Sequence, residues 1–167
     1  CAMGGATGRS APGVAAAALF LAWSFRRSES PRRDAVLCGV AVAFGGVLDV
    51  TLVGLGWVAY SGTPSGIGAS PGWILALWAT FATTIPVAYR WLRGRWFMAS
   101  ILGAVGGGLA YAAGERMGAV SWPAADTLAL AGLGLAWGVA LPLLGAASVR
   151  LESMEQRDLL TSLISLR

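Results

Sequence analysis

The 167-residue chain contains no lysine, no histidine and no asparagine, and only two cysteines. Without histidine, the commonest general base and metal ligand is gone. Cys1 and Cys38 are too few for a zinc or iron–sulfur site, which needs three or four clustered ligands. No phosphate-cradling loop, nucleophile elbow or paired metal-ligand spacing occurs. Neither metal nor cofactor is expected, and no residue is assigned a catalytic role. Charge is scarce too: 12% of residues are charged, against about 25% in an ordinary soluble domain. The net charge of +4 does not imply nucleic acid, because no basic face is interleaved with exposed aromatics.

What is present is apolar. Hydrophobic residues make up 56% of the chain, and the 24 glycines raise that share to 70%. This excludes a soluble globular domain, a disordered chain and a disulfide-framed module. An all-α, polytopic transmembrane helix bundle remains. Five apolar stretches are long enough to consider as spans, at about 11–25, 35–60, 72–92, 97–118 and 127–149. Residues 1–150 are thus expected to form the bundle. Residues 151–167 read as a separate amphipathic tail helix on the cytoplasmic interface or docked on a partner.

All twelve basic residues are arginines, and they are sorted. Four lie in the 26–34 turn, three in the 90–95 turn and three from Arg150 onward; only Arg9 and Arg116 fall on the other side. By the positive-inside rule the C-terminus is cytoplasmic. Trp57, Tyr60, Trp73 and Trp122 are read as outer interfacial aromatics, and Trp23, Tyr89, Trp91 and Trp96 as inner ones. Trp78 and Trp137 lie deeper, as packing residues. The start at Cys1 reads as the end of an earlier apolar span, the alternative being a lipidated cysteine.

Helix association in lipid depends on close packing and internal hydrogen bonds. Gly103 and Gly107, Gly114 and Gly118, and Gly134 and Gly138 form small-xxx-small pairs, and Gly45 and Gly46 add a second glycine face. These seams, together with the 151–167 tail, are the expected contacts with other membrane subunits. Pro86 and Pro142 should kink their spans.

Asp49 is the most informative residue. It falls near the middle of the 35–60 span, where insertion costs about 2.5–3.5 kcal/mol. It must therefore face the interior with a partner. Depth matching suggests one polar cluster of Asp49, Thr80, Thr83, Thr84 and Tyr111. That cluster is either a proton or substrate site, or a hydrogen-bond clasp fixing helix register. Glu115 and Arg116 read as an interfacial pair at the outer end of the fourth span, and Asp126 as an acid at the N-terminus of the last.

The segments Gly45-Gly46-Val47-Leu48-Asp49, 71–84 and Gly103 to Gly114, with Gly118-Ala119, resemble a family of small bacterial inner-membrane proteins known only as a domain of unknown function. The similarity covers about residues 35–120. It implies a bacterial inner-membrane location and an additional N-terminal span ending near Cys1. It implies no established activity; an association with membrane-lipid modification genes is its only functional hint. This chain has Gly108 where members often carry proline, and Pro86 where many carry a polar residue or histidine. The resulting expectation is a non-enzymatic accessory or scaffold subunit of a membrane complex. The alternative is a small transporter or lipid-handling protein using Asp49, with an intramembrane enzyme a third possibility.

Overall fold

The computed structural model describes residues 10–61, 71–123 and 127–165. Cys1, Arg9 and Asp126 lie outside the described residues. The order of elements is α1 (Ala11–Arg27), α2 (Pro31–Gly54), β1 (Ala59–Tyr60), α3 (Gly72–Ala88), a single 3-10 turn (Arg90–Leu92), α4 (Trp96–Arg116), β2 (Val120–Ser121) and α5 (Thr127–Ser165). Of the described helices, α2, α4 and α5 are long and apolar enough to cross a membrane. Helices α1 and α3 have 17 residues each, below the ~20 that a perpendicular span needs. Large apolar side chains face outward on all five helices, among them Leu19, Val47, Val87, Phe97 and Leu135. A surface of that kind is suited to lipid rather than water.

The last helix differs from expectation. The 127–149 span and the tail as far as Ser165 form one helix of 39 residues, with Pro142 inside it. Nothing in Arg150-Leu151-Glu152 stops a helix, and ion pairs hold its continuation in place. Glu152 accepts from Arg93 at 2.6 Å, and Glu155 pairs with Arg33 and accepts from the Ser30 hydroxyl. Beyond this, Leu160, Leu163 and Ile164 are exposed.

Helices α2 and α4 end in the same way. Gly56 and Gly118 adopt φ of 69° and 71°, a left-handed conformation that a Cβ disfavours. At each end two backbone bonds close a Schellman cap. In the first, Gly56 N–H donates to Val53 O and Trp57 N–H to Leu52 O. In the second, Gly118 N–H donates to Glu115 O and Ala119 N–H to Gly114 O. Each cap turns the chain into a two-residue strand, and the strands pair antiparallel, Ala59 with Ser121 and Tyr60 with Val120. The 35–60 stretch is therefore not one span: its helix stops at Gly54 and its last residues return along the ribbon.

The chain repeats itself. The segment α2–β1 is matched by α4–β2 at an offset of 62 residues: Gly45 corresponds to Gly107, Asp49 to Tyr111, Gly56 to Gly118 and Ala59 to Ser121, while Trp78 and Trp137, which lie on the two matched glycines, are 59 apart. The ribbon pairs Ala59 with its own counterpart, Ser121, as a local two-fold axis requires. Trp78 and Trp137 stack with centroids 4.6 Å apart and planes at 6°.

The expected glycine seams are only partly helix-to-helix contacts. Gly103 and Gly138 do serve close approach of α4 and α5: a Cβ on Gly103 would collide with the Trp137 carbonyl, and one on Gly138 would stand 3.3 Å from Ser100 O. Gly45 and Gly107 instead receive the flat faces of Trp78 and Trp137. Gly46 lies against Leu75 and Gly114 against Val120. Gly118 is a cap, and Gly134 faces open space.

Candidate functional site

The buried polar interior centres on Asp49, whose relative exposure is 0%. Because α2 ends at Gly54, Asp49 lies five residues, or about 7 Å, from that helix end rather than at mid-span. Its carboxylate takes three donors, each from a different element. The Tyr60 hydroxyl on β1 donates to Oδ1 at 2.5 Å, and the Tyr111 hydroxyl on α4 donates to the same oxygen at 2.7 Å. Trp78 Nε1–H on α3 donates to Oδ2 at 2.9 Å. The two phenolic oxygens are 2.9 Å apart, closing a triangle with Oδ1.

Local sequence explains each arm. Gly45, one turn before Asp49, has no side chain, so the Trp78 indole lies flat on α2 with its nitrogen reaching the carboxylate. The opposite face of that indole stacks on Trp137, which lies against Gly107. Tyr60 arrives because the Gly56 cap reverses the chain, and Trp73 holds its ring edge-on at 5.7 Å. Tyr111 sits five residues before the end of α4, the position equivalent to that of Asp49 in α2.

The structure brings Asp49 and Tyr111 together, as depth matching suggests, but not the threonines. Thr80, Thr83 and Thr84 hydroxyls donate to the carbonyls of Leu77, Thr80 and Phe81, each three residues back on their own helix. A threonine in an apolar helix satisfies its proton locally whenever no better acceptor is in reach. Here aromatic donors, and not the threonines, reach both oxygens of Asp49. Tyr60 and Trp78 are the members that sequence reasoning missed. Tyr60 is 4% exposed and Trp73 3%, so both face the protein interior. Thr80, Thr84 and Tyr111 do share a wall of one lateral cavity of about 540 Å³ with Trp73, Trp78 and Trp137. Among the described residues the indole nitrogen of Trp73 has no hydrogen-bond partner.

Glu115 and Arg116 are both exposed, and neither takes part in an ion pair among the described residues. Among the described residues no cluster of three or more His, Cys, Asp or Glu could hold a metal ion. Cys38 is a buried free thiol, bonded weakly to Ala79 O at 3.4 Å across α2 and α3.

These features define an all-helical protein with three membrane-length apolar helices and a closed aromatic–carboxylate cluster at its centre. The chain belongs to the family described as protein of unknown function (DUF2878), which matches residues 1–143. No curated protein and no solved structure matches it.

Proposed function

We propose that this is a non-catalytic bacterial inner-membrane protein, crossing the bilayer with all five helices, that serves as an accessory or scaffold subunit of a membrane complex. In this reading the arginine-rich ends face the cytoplasm, as does the C-terminus, and α1 and α3 span with help from flanking interfacial residues. The observation that carries the proposal is the state of Asp49. Its carboxylate is fully enclosed and accepts from three donors, which suits a clasp fixing four elements in register. A further support is α5, which outruns the bundle and leaves Leu160, Leu163 and Ile164 uncovered. Those side chains, with the outward faces of the helices, are available to other subunits.

The test uses intact membranes. A photoreactive residue at position 163 should give one discrete heavier adduct, and Leu163→Asp should abolish the complex while leaving the chain folded. A chain that runs as a single copy in mild detergent, with no adduct from position 163, contradicts the subunit reading.

A second reading is a small transporter or lipid-handling protein. What favours it is the lateral cavity, whose wall includes Tyr111 and Trp78, both bonded to Asp49. Intact folding of Asp49→Asn with loss of a cellular transport or lipid phenotype would favour this reading over the clasp.

A further inference from the structure

A large groove lies at the other end of the bundle from the ribbon. It is a cavity of about 680 Å³ between the start of α4 and the middle of α5, open on one side. Along α5 it runs from Leu141 to Arg150, nine residues or about 13 Å of helix. Its floor is apolar. Its rim at the arginine-rich end carries Arg93, Arg150 and Trp96. Arg93 already pairs with Glu152, yet a guanidinium has five donors and the pair uses one nitrogen. Arg150 has no carboxylate partner among the described residues. The rim therefore keeps one net positive charge above an apolar slot. Ser148 also lines the groove; it is 3% exposed, and its hydroxyl has no hydrogen-bond partner.

We infer that this groove binds an anionic phospholipid. The phosphate lies between the Arg93 and Arg150 guanidinium groups, Trp96 sits at headgroup depth, and an acyl chain follows the apolar floor toward Leu141. Basic pockets between helices at a membrane interface take anionic headgroups in this way. Charge selects the headgroup, and the apolar floor below the rim requires a chain, so a lipid and not free phosphate is the occupant. The site is distinct from the Asp49 cluster and depends on neither reading of it.

The experiment is native mass spectrometry of the full chain in mild detergent, titrated with dioleoylphosphatidylglycerol, dioleoylphosphatidylcholine or inorganic phosphate. One net arginine near the headgroup corresponds to a preference of about fivefold for phosphatidylglycerol over phosphatidylcholine. Arg150→Gln should remove most of that preference, and Arg157→Gln, outside the groove, should keep it. Gly145 lines the groove, and a Cβ built on it meets nothing within 4 Å. Gly145→Leu should therefore fill the slot without disturbing the bundle and abolish the adduct. Equal retention of the two lipids overturns the proposal. So does an Arg150→Gln variant indistinguishable from Arg157→Gln. Displacement of the lipid by inorganic phosphate at equal concentration would reduce the site to an anion site and overturn it as well. Should Gly145→Leu fail to fold, the arginine variants and the phosphate arm decide.

Discussion

Replacing Asp49 by asparagine and by alanine should give very different proteins. In the native site Oδ1 accepts from two phenols and Oδ2 from one indole. Asparagine can satisfy this geometry by turning its amide. The carbonyl then faces Trp78 Nε1, and the NH2 group donates to the Tyr60 and Tyr111 oxygens, which can accept. The opposite orientation would set the NH2 against the indole N–H and is excluded. The expected cost is within about 1 kcal/mol, the net value of one neutral hydrogen bond. Alanine removes the acceptor of all three donors, and only one phenol can turn to the other's oxygen, 2.9 Å away. Interhelical hydrogen bonds in a bilayer average about 0.6 and reach about 1.7 kcal/mol each, so a net loss of two bonds costs about 1–3 kcal/mol before any cavity contribution. Steric trapping in bicelles measures that free energy directly. Near-UV circular dichroism follows the Trp78–Trp137 stack through the same transition. The reasoning fails if asparagine destabilises as much as alanine, because then the charge itself, rather than the acceptor geometry, holds the cluster.

Three further outcomes follow from the packing. Gly107→Ala would place a methyl inside the Trp137 indole, and should cost about 1–3 kcal/mol, whereas Gly108→Ala, with nothing within 4 Å, should leave the melting temperature unchanged. Equal melting of the two variants would refute the glycine–indole contact. At the helix caps, Gly56→Ala and Gly118→Ala should each lose about 1–2 kcal/mol through the left-handed backbone, measurable by thermal denaturation in detergent. Glu152→Gln breaks a part-exposed ion pair with Arg93 and should cost less than about 1 kcal/mol in the same assay; a larger loss would mean that this pair fixes the course of α5.

The sequence made the class of fold and one half of the site legible. Long apolar stretches and sorted arginines locate all five helices, because both follow from local composition. Asp49 stands out because it is the one acid near the middle of an apolar stretch, and Tyr111 follows from matching depths. The remainder depends on chain reversal. Gly56 sits in Leu55-Gly56-Trp57-Val58-Ala59-Tyr60, where hydropathy continues unbroken across the cap. A window that averages hydropathy reads this as more helix, so Tyr60 is placed at a lipid interface instead of against Asp49. The signal that was present is a left-handed-cap glycine before a short run containing valine and tyrosine, repeated 62 residues later at Gly118-Ala119-Val120-Ser121. Trp78 was missed for another reason. As an apolar body it reads as packing, and its single N–H counts for little until a glycine opposite allows the ring to lie flat. The threonines mislead because depth alone says nothing of whether a hydroxyl has already found a carbonyl on its own helix.

The 62-residue offset has a consequence for how such a centre arises. Two identical halves around an axis would place the same side chain twice at the equivalent positions of Asp49 and Tyr111. Two carboxylates there would repel, and two phenols would offer the Trp78 N–H a neutral oxygen in place of a carboxylate. A single chain whose halves differ in sequence can put an acid on one side and a phenol on the other, as Asp49 and Tyr111 stand here.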